Sequence, residues 1–78
     1  MDFKTKYLLA KKNGQVERFR GDEVSHEISR TVPLSAQIAI LMDKDTEPEQ
    51  FAKYQLVRAE AKRVVDAKIA AIEGELNA

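Results

Sequence analysis

After Pro48 the chain runs for about twenty-five residues with no proline or glycine until Gly74. Alanine, glutamate, lysine, arginine and glutamine dominate that run, and all of them lose little entropy on entering a helix. Its start is written several ways in "TEPEQ". Thr46 is placed to cap, with Glu49 three residues on to complete a capping box. Pro48 falls in the first turn, where its missing N–H costs nothing, and Glu47 and Glu49 sit at the positive end of the helix dipole. A long C-terminal helix is the strongest constraint on how this chain folds.

Its apolar residues are Tyr54, Val57, Ala61, Val65, Ile69, Ile72 and Leu76. Steps of three and four make one stripe near the helical period, extended at the start by Phe51. The mean step is closer to an eleven-residue repeat than to a heptad, which disfavours strict coiled-coil pairing. Such a helix would be about 45 Å long at 1.5 Å per residue. A compact domain of 78 residues has a radius of gyration of about 11–12 Å. On that comparison the helix overhangs the body and bares Val65, Ile69, Ile72 and Leu76. Soluble monomers seldom leave such a stripe uncovered. These four residues are therefore the predicted partner-binding set, facing a protein partner or a second copy in a homodimer.

The N-terminus reads as a β-hairpin. In "FKTKYLLAKK", Phe3, Thr5, Tyr7 and Leu9 alternate onto one face, and "QVERFR" follows as a second short strand. Asn13-Gly14 between them suits a type I′ turn, whose two central residues need positive φ, or a three-residue loop with Gly14 in a bulge; the two give different registers and the sequence does not choose between them. Further on, Val24, Ile28 and Val32 recur every four residues, which fits a short helix with Asp22 as N-cap. The same segment also alternates as Val24, His26, Ile28, Arg30 and Val32, the pattern of a third strand; the helix is the favoured reading. "PLSAQIAILMDKD" after Pro33 reads as a buried helix; so short an apolar run would also fit a buried strand, and Ala36 and Gln37 favour the helix. The expected fold is thus α+β: an N-terminal antiparallel hairpin, one or two short middle helices and a long C-terminal amphipathic helix, in one domain spanning 1–78.

Chemistry is sparse. There is no cysteine and one histidine, so neither a thiolate zinc site nor an imidazole cluster can form. "DKDTEPE" lacks the glycine and the spacing of a calcium loop. Ser25, Ser29 and Ser35 have no nucleophile-elbow context, and three scattered glycines make no phosphate loop. His26, flanked by Glu23 and Glu27, reads as an ordinary helix or strand position and not as a general base. The expectation is no enzyme activity, no cofactor and no metal. No segment has the length and apolarity to span a bilayer, and the N-terminus lacks a signal-peptide pattern; the expected compartment is the cytoplasm.

Lysine and arginine balance aspartate and glutamate at thirteen each, but not evenly along the chain. The first twenty residues hold Lys4, Lys6, Lys11, Lys12, Arg18 and Arg20 against Asp2 and Glu17, while the middle is acidic. A basic ribbon can enter a major groove. Neutral overall charge argues against that use, because phosphate contacts dominate nucleic-acid affinity. Lysines on an edge strand also serve to block edge-to-edge pairing. The function read from sequence is a non-enzymatic protein-binding module, of the kind a small accessory or inhibitor protein would be; phage genomes carry many such chains, which is an analogy only. The alternative is a small nucleic-acid-binding protein that uses Lys4, Lys6, Lys11, Lys12, Arg18 and Arg20.

Overall fold

The computed structural model describes residues 1–78 and contains four helices and no strand: α1 (Phe3–Lys12), α2 (Val16–Thr31), α3 (Leu34–Met42) and α4 (Pro48–Leu76). The fold is all-α, so the expected α+β class and its hairpin are wrong. The reason lies at Asn13-Gly14. Only Gly14 has positive φ, at 68°, whereas Asn13 sits at −93°, and a type I′ turn needs both. Gln15 N–H donates to the Ala10 carbonyl at 2.8 Å and Gly14 N–H to that of Lys11 at 3.3 Å. That pair of bonds is a Schellman motif, the left-handed glycine stop of a helix. Lys11 and Lys12 fill the last turn, where cations meet the negative end of the dipole. At the other end of α1, the Asp2 carboxylate accepts from Thr5 N–H at 2.8 Å, and this bond holds Asp2 below the usual carboxylate range.

Helix α2 begins six residues before the expected N-cap at Asp22. Gly21 and Asp22 lie inside it and exposed, so glycine here costs only its intrinsic penalty of about 0.5–1 kcal/mol. Val32 ends the helix in extended conformation, as the residue before a proline prefers. At α4 the expected capping box is absent. Glu47 is the N-cap without a side-chain bond, and the Thr46 hydroxyl instead donates to the Asp43 carbonyl. Pro48 does occupy the first turn.

Helix α4 is a spine on which the other three are laid. The core is Val24 and Ile28 of α2 against Tyr54, Ala61 and Val65 of α4, with Phe3, Val32, Ile40, Val57 and Ile69 packed around it. Arg20 pairs with Asp66, while Thr31 lies beside Leu56 and Glu60; α2 therefore runs antiparallel to α4. α1 doubles back on α2 through Phe3 and Tyr7 against Phe19, with ring centroids 5.1 and 5.8 Å apart. It reaches the far end of α4 as Lys4 pairs with Glu75 and Lys11 with Glu73. The result is a rod of 49 × 20 × 18 Å with a radius of gyration of 15.0 Å, well above the compact value used for the overhang argument. No helix is long and apolar enough to cross a membrane.

Candidate functional site

The C-terminal stripe of α4 is the first surface to place. Val65 is 1% exposed and Ile72 is 6% exposed, both inside the chain's own core. Ile69 is half-buried against the same cluster, and only Leu76, at 48%, faces outward. The helix does not overhang, because α1 and the first half of α2 extend along it. A rod covers a long helix that a sphere cannot.

The six basic residues are not gathered into one patch. Lys4 pairs with Glu75 at 2.7 Å, Lys6 with Glu23 at 4.0 Å, Lys11 with Glu73 at 2.9 Å and Arg20 with Asp66 at 2.6 Å. Lys12 and Arg18 make no ion pair. The basic N-terminus and the acids downstream thus neutralise one another within the fold. Hydrogen bonds shift the titration of groups at these contacts. The Tyr7 hydroxyl and then Lys11 donate to Glu73 and hold its carboxylate below the usual range. Donating to Glu73 likewise pushes the Tyr7 phenol above its ordinary value. Arg20 lowers Asp66 in the same way.

The surface that stands out is on α3. "LSAQIAILM" holds no charged residue, yet none of its nine residues is buried. Its orientation is set by its one long polar side chain. Gln37 donates through Nε2 to the Val32 carbonyl at 2.8 Å and accepts at Oε1 from the Tyr54 hydroxyl at 2.9 Å. These bonds turn Gln37 toward α4, with Ala36 and Ile40 half-buried beside it. The rest of the helix surface leaves Leu34, Ile38, Leu41 and Met42 at 66%, 52%, 45% and 80% exposure, with Leu34 and Leu41 bordering Gln37 and Ile38 and Met42 turned further from it. Spacings of four and three put Leu34, Ile38 and Leu41 on one stripe, and Met42, four residues after Ile38, widens it on one side. In a folded soluble domain the side of a helix that faces out is normally polar; α3 is apolar on both sides, with Ile40 packed on the core and four large apolar side chains exposed.

A second apolar feature is an open groove of about 310 Å³ between α2 and α4, lined by Glu27, Thr31, Leu56, Val57, Glu60 and Val64. Both of its carboxylates are already taken, Glu27 by Arg30 and Glu60 by Arg63. No group of three or more His, Cys, Asp or Glu side chains is arranged to hold a metal ion. His26 lies exposed on α2.

The sequence marks "PLSAQIAILMDKD" as a helix but not as the exposed one. The available signal was the absence of any charge across Leu34–Met42, which fits burial and exposure to a partner equally well. No protein-family model, curated protein or solved structure matches this chain.

Proposed function

We propose that this protein is a non-enzymatic protein-binding module whose contact element is helix α3. One observation carries the reading: α3 seats Gln37 and Ile40 against the rest of the chain and leaves four of its five large apolar side chains, Leu34, Ile38, Leu41 and Met42, exposed. Together those four expose about 400–500 Å² of side-chain surface, within the size class of the largest, often functional patches on monomers. A helix that lays i, i+4 and i+7 anchors into a groove is a standard mode of protein recognition. This reading moves the contact from the far end of α4, where Val65 and Ile72 serve the core, to the opposite end of the rod.

The test is a photo-crosslinking amino acid at Ile38, compared with one at Arg63 on the exposed face of α4, in cells that make the protein. A discrete adduct from position 38 and none from 63 is the expected result. Equal, diffuse labelling from both positions would sink the assignment of α3.

A further inference from the structure

The stripe on α3 is built to pair with itself. We propose that its occupant is a second copy of this chain, in an antiparallel α3–α3 contact with a two-fold axis passing at Ile38. This rests on the reading of α3 as a protein contact and names the partner.

Three features point to a second copy. The first is charge. Leu34–Met42 contains no ionisable side chain, so self-pairing sets no like charges face to face at the centre of the contact. The whole chain is neutral, which leaves no long-range repulsion between copies. The second is the difference between the two ends of α3. Its N-terminus follows Pro33 and has no side-chain cap, so its first N–H groups and the positive end of the dipole are open. Arg30, its side chain 74% exposed, lies just upstream, with one guanidinium nitrogen on Glu27 at 2.9 Å and its other donors open. Past the other end come Asp43, Asp45, Glu47 and Glu49, all exposed. In an antiparallel pair each acidic loop meets the partner's open N-terminus and Arg30. In a parallel pair acid would meet acid. An isologous contact requires this kind of self-complementarity. The third is area. Two copies of the stripe bury a total of about 1,000 Å² with their margins, at the lower limit for a specific interface and in the range of weak, reversible ones. A nine-residue helix has Ile38 at its midpoint, so the dyad brings Ile38 onto Ile38 and Leu34 opposite Leu41 and Met42 of the partner.

A membrane surface is the competing occupant for an apolar helix. Interfacial helices carry lysine and arginine beside the apolar stripe to meet anionic headgroups. Here the adjoining loop is acidic, with Lys44 the one cation among Asp43, Asp45, Glu47 and Glu49.

Sedimentation equilibrium from about 10 μM to about 1 mM, a span that brackets weak association, tests the proposal. The mass should climb from 8.8 kDa toward twice that value. Ile38→Asp, which sets two carboxylates on the dyad, should stay monomeric throughout with its helical circular dichroism unchanged. The chain has no cysteine, so Ile38→Cys introduces a single thiol on the axis. It should oxidise to a disulfide dimer much faster than Met42→Cys alone, whereas Leu34→Cys mixed with Met42→Cys should cross-link between the two. A wild type that stays at 8.8 kDa up to the highest concentration overturns the proposal, as does a dimer that Ile38→Asp leaves intact. Co-flotation of monomer with phosphatidylcholine–phosphatidylglycerol vesicles, lost in Ile38→Asp, assigns the stripe to lipid and overturns it too. A monomer that still gives the position-38 adduct to a different protein overturns self-pairing while leaving the protein-contact reading standing; a monomer with no adduct removes both.

Discussion

Val65→Ala is the most direct probe of how this rod is held together. Val65 is the one fully enclosed large side chain, 1% exposed, where α2 crosses the middle of α4. Truncation removes two methyl-sized groups, worth about 1.6 kcal/mol of transfer free energy. The space left behind adds about 1 kcal/mol, since the neighbours relax only in part. Alanine is the better helix former and returns about 0.5 kcal/mol. The net loss is about 2 kcal/mol, against a total stability of about 4–12 kcal/mol for a chain of this size. The melting temperature should fall by about 8–16 °C. Leu56→Ala serves as control: it lies on the same helix at 71% exposure and should change stability by less than about 0.5 kcal/mol. Thermal and urea unfolding followed by far-UV circular dichroism reads both variants. Equal melting temperatures for Val65→Ala and wild type would refute the packing argument. So would a loss that grows as protein concentration rises, because Val65 would then lie between copies and not within one.

Other outcomes follow from single positions. Gly14→Val should cost about 1–2 kcal/mol, because its φ of 68° is strained for a β-branched residue. No atom lies within 4 Å of an added Cβ there, so Gly14→Asn should recover much of the loss in the same urea titration. Gly21→Ala should do the reverse and stabilise by about 0.5–1 kcal/mol, since Gly21 sits in α2 with open space around it. Glu73 and Asp66 have folded pKa values below their ordinary ones, so their contribution is present above the ordinary carboxylate range and fades as pH falls through the lowered values; Glu73→Gln should flatten the acid limb of a stability–pH curve. Tyr7 runs the other way: its pKa is raised from 10.0, so its contribution holds below about pH 10 and is lost above it, and Tyr7→Phe should remove that alkaline limb. Nucleic-acid binding at physiological salt should be weak, given that Lys4, Lys6, Lys11 and Arg20 are each paired with a carboxylate; sub-micromolar, steeply salt-dependent binding in an anisotropy titration would contradict this.

Periodicity reports which residues share a face and is silent on what covers that face, and this divides what could be read here from what could not. The span of α4 and its single apolar stripe were legible, because twenty-nine residues of consistent helix formers leave no competing pattern. What covers the stripe was not, since the choice between overhang and burial rested on assuming a spherical body. α1 was misread for a different reason. Phe3, Tyr7 and Ala10 recur at helical spacing and are the residues that turn inward, but Phe3, Thr5, Tyr7 and Leu9 also alternate, and Asn-Gly tipped the balance toward a hairpin. The same glycine stops a helix just as well, and Asp2 and Lys11-Lys12 were the cap and dipole signals that separate the two uses. α3 shows the limit most plainly. Its helical character was readable, but which of its apolar sides faces in depends on contacts with α4, among them Gln37 meeting Tyr54, seventeen residues away. No local pattern encodes that bond. Without it, Ile38 and Ile40 are interchangeable on paper; with it, Ile40 belongs to the core and Ile38 to the surface. A buried tyrosine hydroxyl needs a partner, and by supplying it Gln37, together with Ile40 in the core, holds the side of α3 that meets α4 and leaves Ile38 and Met42 exposed.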